Sequence, residues 1–259
     1  MPPSCVEPPM KQSAARAVNR EFFSHELMAT TMTDVSAISF PSSGGVEFAL
    51  NILTVLIIYG PAYLANTGAM LFGKWVPDKF GLENHKIDGG RVHADGNRVL
   101  GDGKSWEGLF GGAFFSGILV IISHWLWAGN TGPSDRPFID PILTTDSTDW
   151  FWIGGEWGAA FILGFTLGFA CMLGDMAGSF VKRRQGLKRE GDVSSKAPLL
   201  DTLPFAIFIF LAAALLFNDQ VMMHSHLAPS IITIIILTPI IHRSFNILGY
   251  RFGLKSVPY

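Results

Sequence analysis

The sequence has little charge and almost no cysteine. Only 15% of its 259 residues are charged, whereas an average soluble domain has roughly 25%. Its two cysteines, Cys5 and Cys171, are too few for a disulfide framework or for a zinc site built from cysteines. The formal net charge of -2 lacks the basic excess that nucleic-acid-binding proteins carry, which argues against nucleic acid as a partner.

Long apolar segments take the place of the missing charges. Five segments approach or exceed the length of about 20 residues that a helix needs to cross a hydrocarbon core. They lie near residues 46–72, 109–128, 150–173, 203–223 and 227–242. A soluble helical protein could bury one or two such segments but not five. The sequence therefore predicts an all-α membrane protein with about five transmembrane helices.

The positions of the basic residues predict how these helices are oriented. Of the 19 Lys and Arg residues, six lie in residues 73–108, six in residues 174–202 and three after residue 242. Cytoplasmic loops carry such an excess of basic residues, so these 15 are expected inside the cell. The N-terminus is then outside and the C-terminus cytoplasmic. Residues 1–45 are predicted to be a poorly ordered tail, and residues 46–259 a polytopic membrane domain.

The second cytoplasmic loop combines acids, a hydroxyl group and basic residues. In a helix, Asp175, Ser179 and Lys182 would share one face, and the run of basic residues continues to Arg184. One explanation is that Asp175 caps a helix while the basic run anchors it at the membrane surface. The other is functional, because acids at membrane depth are costly and Asp201 directly precedes the next apolar segment. Both explanations stay open on the residues alone.

The first cytoplasmic loop is rich in glycine around Asp102 and Lys104. It contains Asp88-Gly-Gly-Arg91 and, further on, the nine residues 100–108, LGDGKSWEG. Glycines let a ligand approach the backbone closely, and a lysine can neutralise a phosphate. The spacing is not that of a Walker A loop, and a glycine-rich turn before a helix explains it equally well. Together the two loops suggest phosphoryl or nucleotidyl transfer at the cytoplasmic face of the membrane.

Four motifs resemble the archaeal CDP-archaeol synthase family, whose relatives are the CDP-diacylglycerol synthases, also called phosphatidate cytidylyltransferases. The resemblance covers roughly residues 59–259. The motifs are PAYLAN at 61–66, LGDGKSWEG at 100–108, GDMAGSFVKRR at 174–184 with PLLD at 198–201, and GLKSVPY at 253–259. The third is the most specific, since Gly-Asp, Ser, Lys-Arg and a downstream Asp are also similar to the wider cytidylyltransferase pattern.

The resemblance implies a reaction and its partners. CTP and 2,3-bis-O-geranylgeranyl-sn-glycerol 1-phosphate would give CDP-archaeol, which is CDP-2,3-bis-geranylgeranyl-glycerol, and pyrophosphate, with Mg²⁺ as the cofactor. Residues 46–259 would be the catalytic domain, and its two large cytoplasmic loops would form the active site in the cell membrane. A homodimer is left open.

The resemblance also implies roles for individual residues. The metal ligands would be Asp175 and Asp201. The catalytic residues would be Lys104, Asp102, Ser179, Lys182 and Arg183, and the nucleotide-binding residues would be Arg184, Gly101, Gly103 and Asn66.

The chain departs from the family pattern at Pro204, where the family usually has a second acid three residues after the first. Proline cannot bind a metal, although it suits the first turn of a helix. Asp175 could substitute, one metal could bind more weakly, or activity could be reduced. Two alternative functions remain: a small membrane transporter, for which Glu156 within an apolar segment is the main candidate residue, and a catalytically lapsed family member. His224 and His226 are expected to be interfacial residues rather than metal ligands.

Overall fold

Helices dominate the computed structural model, which describes residues 44–142, 147–187, 198–217 and 227–251. These residues belong to the unit Phe40–Tyr259. The described α-helices are α1 Gly45–Tyr63, α2 Ala65–Met70, α3 Val76–Phe80, α4 Trp106–Trp127, α5 Gly155–Arg184, α6 Pro198–Leu216 and α7 Ala228–Arg251. A π-helical turn, Leu71–Trp75, joins α2 to α3, and a 3₁₀ turn, Pro133–Asp135, follows α4. Within the described ranges there is no strand, which confirms the all-α prediction.

The apolar helices agree with the prediction of about five membrane segments. In the described part of the chain, four helical segments are long and apolar enough to cross a membrane by length and composition: 45–80, 106–127, 155–184 and 199–216. Residues 228–244, the first part of α7, form a shorter apolar segment. The direction of crossing stays a prediction. The tail as far as residue 43, the histidines at 224 and 226 and the motif at 253–259 lie outside the described residues.

The first apolar segment is interrupted rather than one continuous α-helix. α1 contains Pro61 near its end, and a proline removes a backbone donor and crowds the preceding turn. α2 starts at Ala65, and the π-helical turn widens the backbone before α3. The helical segment nevertheless continues to Phe80, eight residues beyond the predicted end at residue 72.

The helix α5 starts and ends later than the predicted span 150–173. It begins after Gly154, whose φ of 80° suits glycine, and it continues to Arg184. Its 30 residues correspond to about 45 Å, whereas the hydrocarbon core is about 30 Å thick. The last turns of α5 can therefore extend past the apolar layer. They carry the cations Lys182 to Arg184, which are favourable at the C-terminal end of a helix.

Glycines on α5 let α4 approach it closely. A Cβ atom on Gly168 would lie 2.4 Å from the Cβ of Ser116, and one on Gly164 would lie 2.7 Å from the Ser116 carbonyl oxygen. The hydroxyl of Ser116 donates a hydrogen bond of 2.7 Å to the carbonyl oxygen of Gly164. Small residues and hydrogen bonds of this kind stabilise helix pairs in membranes, where the hydrophobic effect does not drive association.

The residue that pointed to a transporter lies at a helix end. Glu156 is in the first turn of α5, and its side chain is 53% exposed. Its Oε2 lies 4.0 Å from Nε2 of His124, the buried histidine that pairs with Asp140 at 2.9 Å. An acid at an exposed helix start does not have the mid-span position that a transport pathway would use.

The α4–α5 contact gives a stability prediction. We expect Gly168→Ala to lower the free energy of unfolding by about 1–3 kcal/mol, because the new methyl group overlaps Ser116 in a tightly packed seam. The measurement is thermal unfolding in detergent, followed by circular dichroism. The matched control is Gly60→Ala in α1, where an added Cβ meets no atom within 4 Å. Equal melting temperatures for the two variants would contradict the close packing.

Candidate functional site

The predicted site residues come from four places in the chain. Those of the first loop precede α4, those of the second motif occupy the last turns of α5, Asp201 lies in the first turn of α6, and Asn66 lies in α2. The residues in the loop before α4 are Gly101, Asp102, Gly103 and Lys104, and those on α5 are Asp175, Ser179, Lys182, Arg183 and Arg184.

Two lysine–carboxylate pairs bring three of these places together. Nζ of Lys104 contacts Oδ2 of Asp175, which joins the first loop to α5. Nζ of Lys182 contacts Oδ1 of Asp201, which joins α5 to α6. The four side chains are between 11% and 26% exposed. The two acids predicted to bind metal therefore lie beside two cations predicted to bind phosphate.

Glycine on α5 also explains why α6 reaches the site. A Cβ atom on Gly174 would lie 2.5 Å from Cα of Phe205, and one on Gly178 would lie 2.3 Å from the carbonyl oxygen of Leu200. The backbones of α5 and α6 are thus in direct contact on both sides of Asp201. Because backbone atoms cannot move aside as a flexible side chain can, these positions require glycine.

The arginines of α5 contact the loop before α4. Gly101 has a φ of 95°, and a Cβ atom there would lie 3.0 Å from Nε of Arg183. Arg184 donates hydrogen bonds to Asp95 at 2.8 Å and to the carbonyl oxygen of Arg98 at 2.7 Å. The predicted nucleotide-binding residues Gly101 and Arg184 therefore lie in the same contact region as Arg183. Their roles stay predictions.

Two of the predicted residues are less closely connected. Ser179 is buried on α5, between the turns that carry Asp175 and Lys182. Asn66 is half-buried on α2, and no hydrogen bond among the described residues links it to the rest of the site. Its motif neighbour Tyr63 bonds instead to Thr238 of α7, with 3.1 Å between the two hydroxyl oxygens.

Sequence reasoning gave no role to Asp88, which organises the first loop. Its carboxylate is 1% exposed and accepts five hydrogen bonds. Nη2 and Nε of Arg98 donate at 2.7 and 3.3 Å, and the backbone N–H groups of Gly90, Leu100 and Gly101 donate at 3.0, 3.1 and 3.1 Å. Burial alone would raise the pKa of Asp88, but these hydrogen bonds together hold it well below its usual range. In the sequence, the two glycines that follow Asp88 indicate a turn at this position, but they do not identify the partners of its carboxylate.

Asp102, predicted to be catalytic, lies at the exposed end of the same network. Lys86 donates to its Oδ1 at 2.5 Å, and Nη1 of Arg98 donates to the same oxygen at 3.0 Å. The hydrogen bond from Lys86, followed by that from Arg98, lowers the pKa of Asp102. Arg98 thus bridges the buried carboxylate of Asp88 and the exposed carboxylate of Asp102.

Comparison with known proteins places the chain in a family. A family profile described as CarS-like, CDP-archaeol synthase, matches residues 48–259. The chain belongs to the CDP-archaeol synthase family. This confirms the family predicted from the motifs and, with it, the prediction of a nucleotide-transferring enzyme.

Curated relatives match over nearly their whole length. The CDP-archaeol synthase of Methanosarcina mazei is 37% identical over 204 residues, which are 77% of this chain and 99% of the relative. That of Picrophilus torridus is 33% identical over 215 residues, 81% of this chain and 100% of the relative. That of Thermococcus kodakarensis is 36% identical and covers 77% of this chain and 91% of the relative.

A solved structure, described as an intramembrane enzyme for archaeal membrane lipids biosynthesis, has a similar fold. Its TM-score is 0.51 and its identity 24%, and the match covers 76% of this chain and 94% of that one. The similar fold and the apolar helices agree on a multi-pass membrane protein.

A histidine in the first loop gives a prediction about pH. Nδ1 of His85 lies 2.6 Å from Oε1 of Glu107, and this hydrogen bond, with the charge of Glu107, raises the pKa of His85. The folded-state pKa lies above the unfolded value of about 6.5, so the pair stabilises the fold fully below that pH. This contribution is lost as pH rises through the folded-state pKa.

We therefore expect Glu107→Gln to return the pKa of His85 towards its usual value. The measurement is an NMR titration of the histidine ring signals, with the His85 signal assigned by its absence from His85→Asn. Glu83→Gln is the control, because Glu83 is 3.8 Å from the other ring nitrogen and contributes less. A larger decrease in the control than in Glu107→Gln would contradict the assignment of the partner.

Proposed function

We propose that this protein makes CDP-archaeol and pyrophosphate from CTP and 2,3-bis-O-geranylgeranyl-sn-glycerol 1-phosphate. The family supports the product, and one observation supports the site. Lys104 with Asp175 and Lys182 with Asp201 bring cations and carboxylates from the first loop, α5 and α6 together beside apolar helices. That combination suits a reaction between a nucleotide and a lipid phosphate.

The chemistry requires two anions to approach each other. An oxygen of the lipid phosphate would attack the α-phosphorus of CTP, and the bond from that phosphorus to the bridging oxygen of the β-phosphate would break, so pyrophosphate leaves with the electron pair. Neutralisation and positioning supply most of the catalysis in such a transfer. Lys104, Lys182 and Arg183 would neutralise phosphate oxygens, and the absence of a side chain at Gly101 lets Arg183 lie directly against its backbone.

The donor atoms at the site fit Mg²⁺. This ion is usually held by one or two carboxylates together with substrate phosphates rather than by a cage of protein ligands. Asp175 and Asp201 supply two carboxylates, and within the described ranges no group of three or more His, Cys, Asp or Glu residues could hold a metal. Bound Mg²⁺ would supply positive charge to the phosphate oxygens. Lys104 and Lys182 would then exchange their carboxylate partners for phosphate oxygens.

The packing around Pro204 supports Asp175 as the second carboxylate. A Cβ atom added to Gly174 would lie 2.5 Å from the carbonyl oxygen of Pro204. A Cβ atom added to Gly178 would lie 3.2 Å from the ring atom Cγ of Pro204. Position 204 therefore belongs to the contact between α5 and α6. Asp175, which follows Gly174 on α5, would provide the second acid from the other helix of this contact.

The active site would face the cytoplasm. This follows from the basic residues, 15 of which lie in the segments that the charge distribution assigns to the inner side. CTP is then available on the side where the two loops lie. Whether the protein forms a homodimer stays open.

The direct test is pyrophosphate release by the purified protein supplied with CTP, Mg²⁺ and the polyprenylated glycerol phosphate. We expect Asp201→Asn to lower kcat by about a hundredfold or more, because the variant loses one of the two carboxylates that would hold Mg²⁺ at the reacting phosphates. Asp78→Asn removes an exposed carboxylate from α3 and is the matched control. An inactive wild-type protein would favour a lapsed family member, and full activity in Asp201→Asn would contradict the role of that acid.

Removal of the metal tests the cofactor separately. Chelation of divalent cations should abolish pyrophosphate release, and added Mg²⁺ should restore it, because oxygen ligands and phosphates bind this ion. Asp175→Asn should raise the Mg²⁺ concentration needed for half-maximal activity, since one carboxylate ligand is lost. Activity that persists in the chelator would contradict the requirement for a metal.

A further inference from the structure

A chain of contacts leads from the buried carboxylate of Asp88 to the reacting end of the first loop. Two of the five hydrogen bonds that Asp88 accepts come from the backbone N–H groups of Leu100 and Gly101, which directly precede Asp102. Gly101 packs against the guanidinium group of Arg183. Three residues later, Lys104 contacts Asp175. The position of this backbone therefore depends on what holds Leu100 and Gly101.

Arg98 connects the same carboxylate to the opposite side of the loop. Its Nη2 and Nε donate to Asp88, while its Nη1 donates to Asp102 at 3.0 Å. Its carbonyl oxygen accepts a hydrogen bond of 2.7 Å from Arg184 of α5. The Asp88 carboxylate is costly to disturb, because without Arg98 its charge would be buried without a charged partner.

The geometry points to Asp88 as a positioning residue for the nucleotide half of the reaction. It does not reach the reacting groups; it acts through the backbone of Leu100 and Gly101, which it aligns so that Gly101 lies against Arg183 and Lys104 reaches Asp175. This inference rests on the proposed function for the identity of the nucleotide. We therefore expect Asp88 to affect the binding of CTP more than that of the lipid. The contacts that depend on Asp88 involve the cations Arg183 and Lys104, and none involves the apolar helix surfaces that suit lipid chains.

The experiment compares Asp88→Asn with Asp78→Asn in the full-length protein in detergent. Asparagine is nearly isosteric with aspartate but loses the charge paired with Arg98 and replaces one acceptor oxygen by a donor. We expect the KM for CTP to rise about tenfold, the size that one lost charge-assisted hydrogen bond gives, with the KM for the lipid changed less than about twofold. Asp78→Asn makes the same change of charge at an exposed site and should leave both KM values unchanged.

Two results would overturn the inference. One is an unchanged KM for CTP in Asp88→Asn together with a lowered melting temperature, which is what a purely structural role gives. The other is a parallel rise of both KM values. If Asp88→Asn does not fold, Arg98→Lys decides the question, because it keeps the positive charge and loses the two-pronged contact. Its KM for CTP should rise in the same selective way, and an unchanged value would overturn the inference.

Limited proteolysis separates this inference from the proposed function. Trypsin cleavage after Arg91 and Arg98 reports how often the loop opens and needs no substrate. We expect cleavage of Asp88→Asn to be about tenfold faster than cleavage of Asp78→Asn, because the open loop becomes more populated. Inactive wild-type protein with faster cleavage of Asp88→Asn would refute the proposed function alone. Equal cleavage rates would refute the role of Asp88 whatever the activity.

Discussion

The direct contact of α5 with the backbones of its neighbours determines where the charged groups lie. Gly164 and Gly168 bring α4 close to the middle of α5, and Gly174 and Gly178 bring α6 close to its end. Lys182 can contact an acid on α6 only because the two helices touch there. Small residues in a membrane seam thus do more than stabilise the fold, because they fix the distance between charges on different helices.

Most charges of the site are arranged as mutually neutralising pairs. Lys104 and Lys182 each contact one acid, Arg184 contacts Asp95, and Arg98 lies between two acids. Close to apolar surroundings an isolated cation would be costly, so each acid offsets the cost of placing a cation there.

The sequence predicted the apolar helices and the groups of the site, but not how those groups pair. Hydropathy identifies a membrane span only as far as the apolar residues continue. The predicted third span therefore ends at residue 173, just before the next charged residue, Asp175. The helix itself runs on to Arg184, since these cations are favourable at its C-terminus. Lys104 and Asp175 are 71 residues apart, and no local pattern indicates such a pair. Asp88 was visible only as a residue before two glycines, because its partners are set by the folded loop.

The proline at position 204 links helix packing to the proposed metal site. An acid at position 204 would lie on the same helix as Asp201, α6. The distance between these two metal ligands would then be fixed by the geometry of that one helix. In this chain Pro204 packs against Gly174 and Gly178, and the second carboxylate of the proposed metal site, Asp175, comes from α5. The separation of the two carboxylates is then set by the contact between helices rather than by the pitch of one helix. For this reason the seam requires glycine: a side chain at Gly174 would separate the two acids as well as the two backbones.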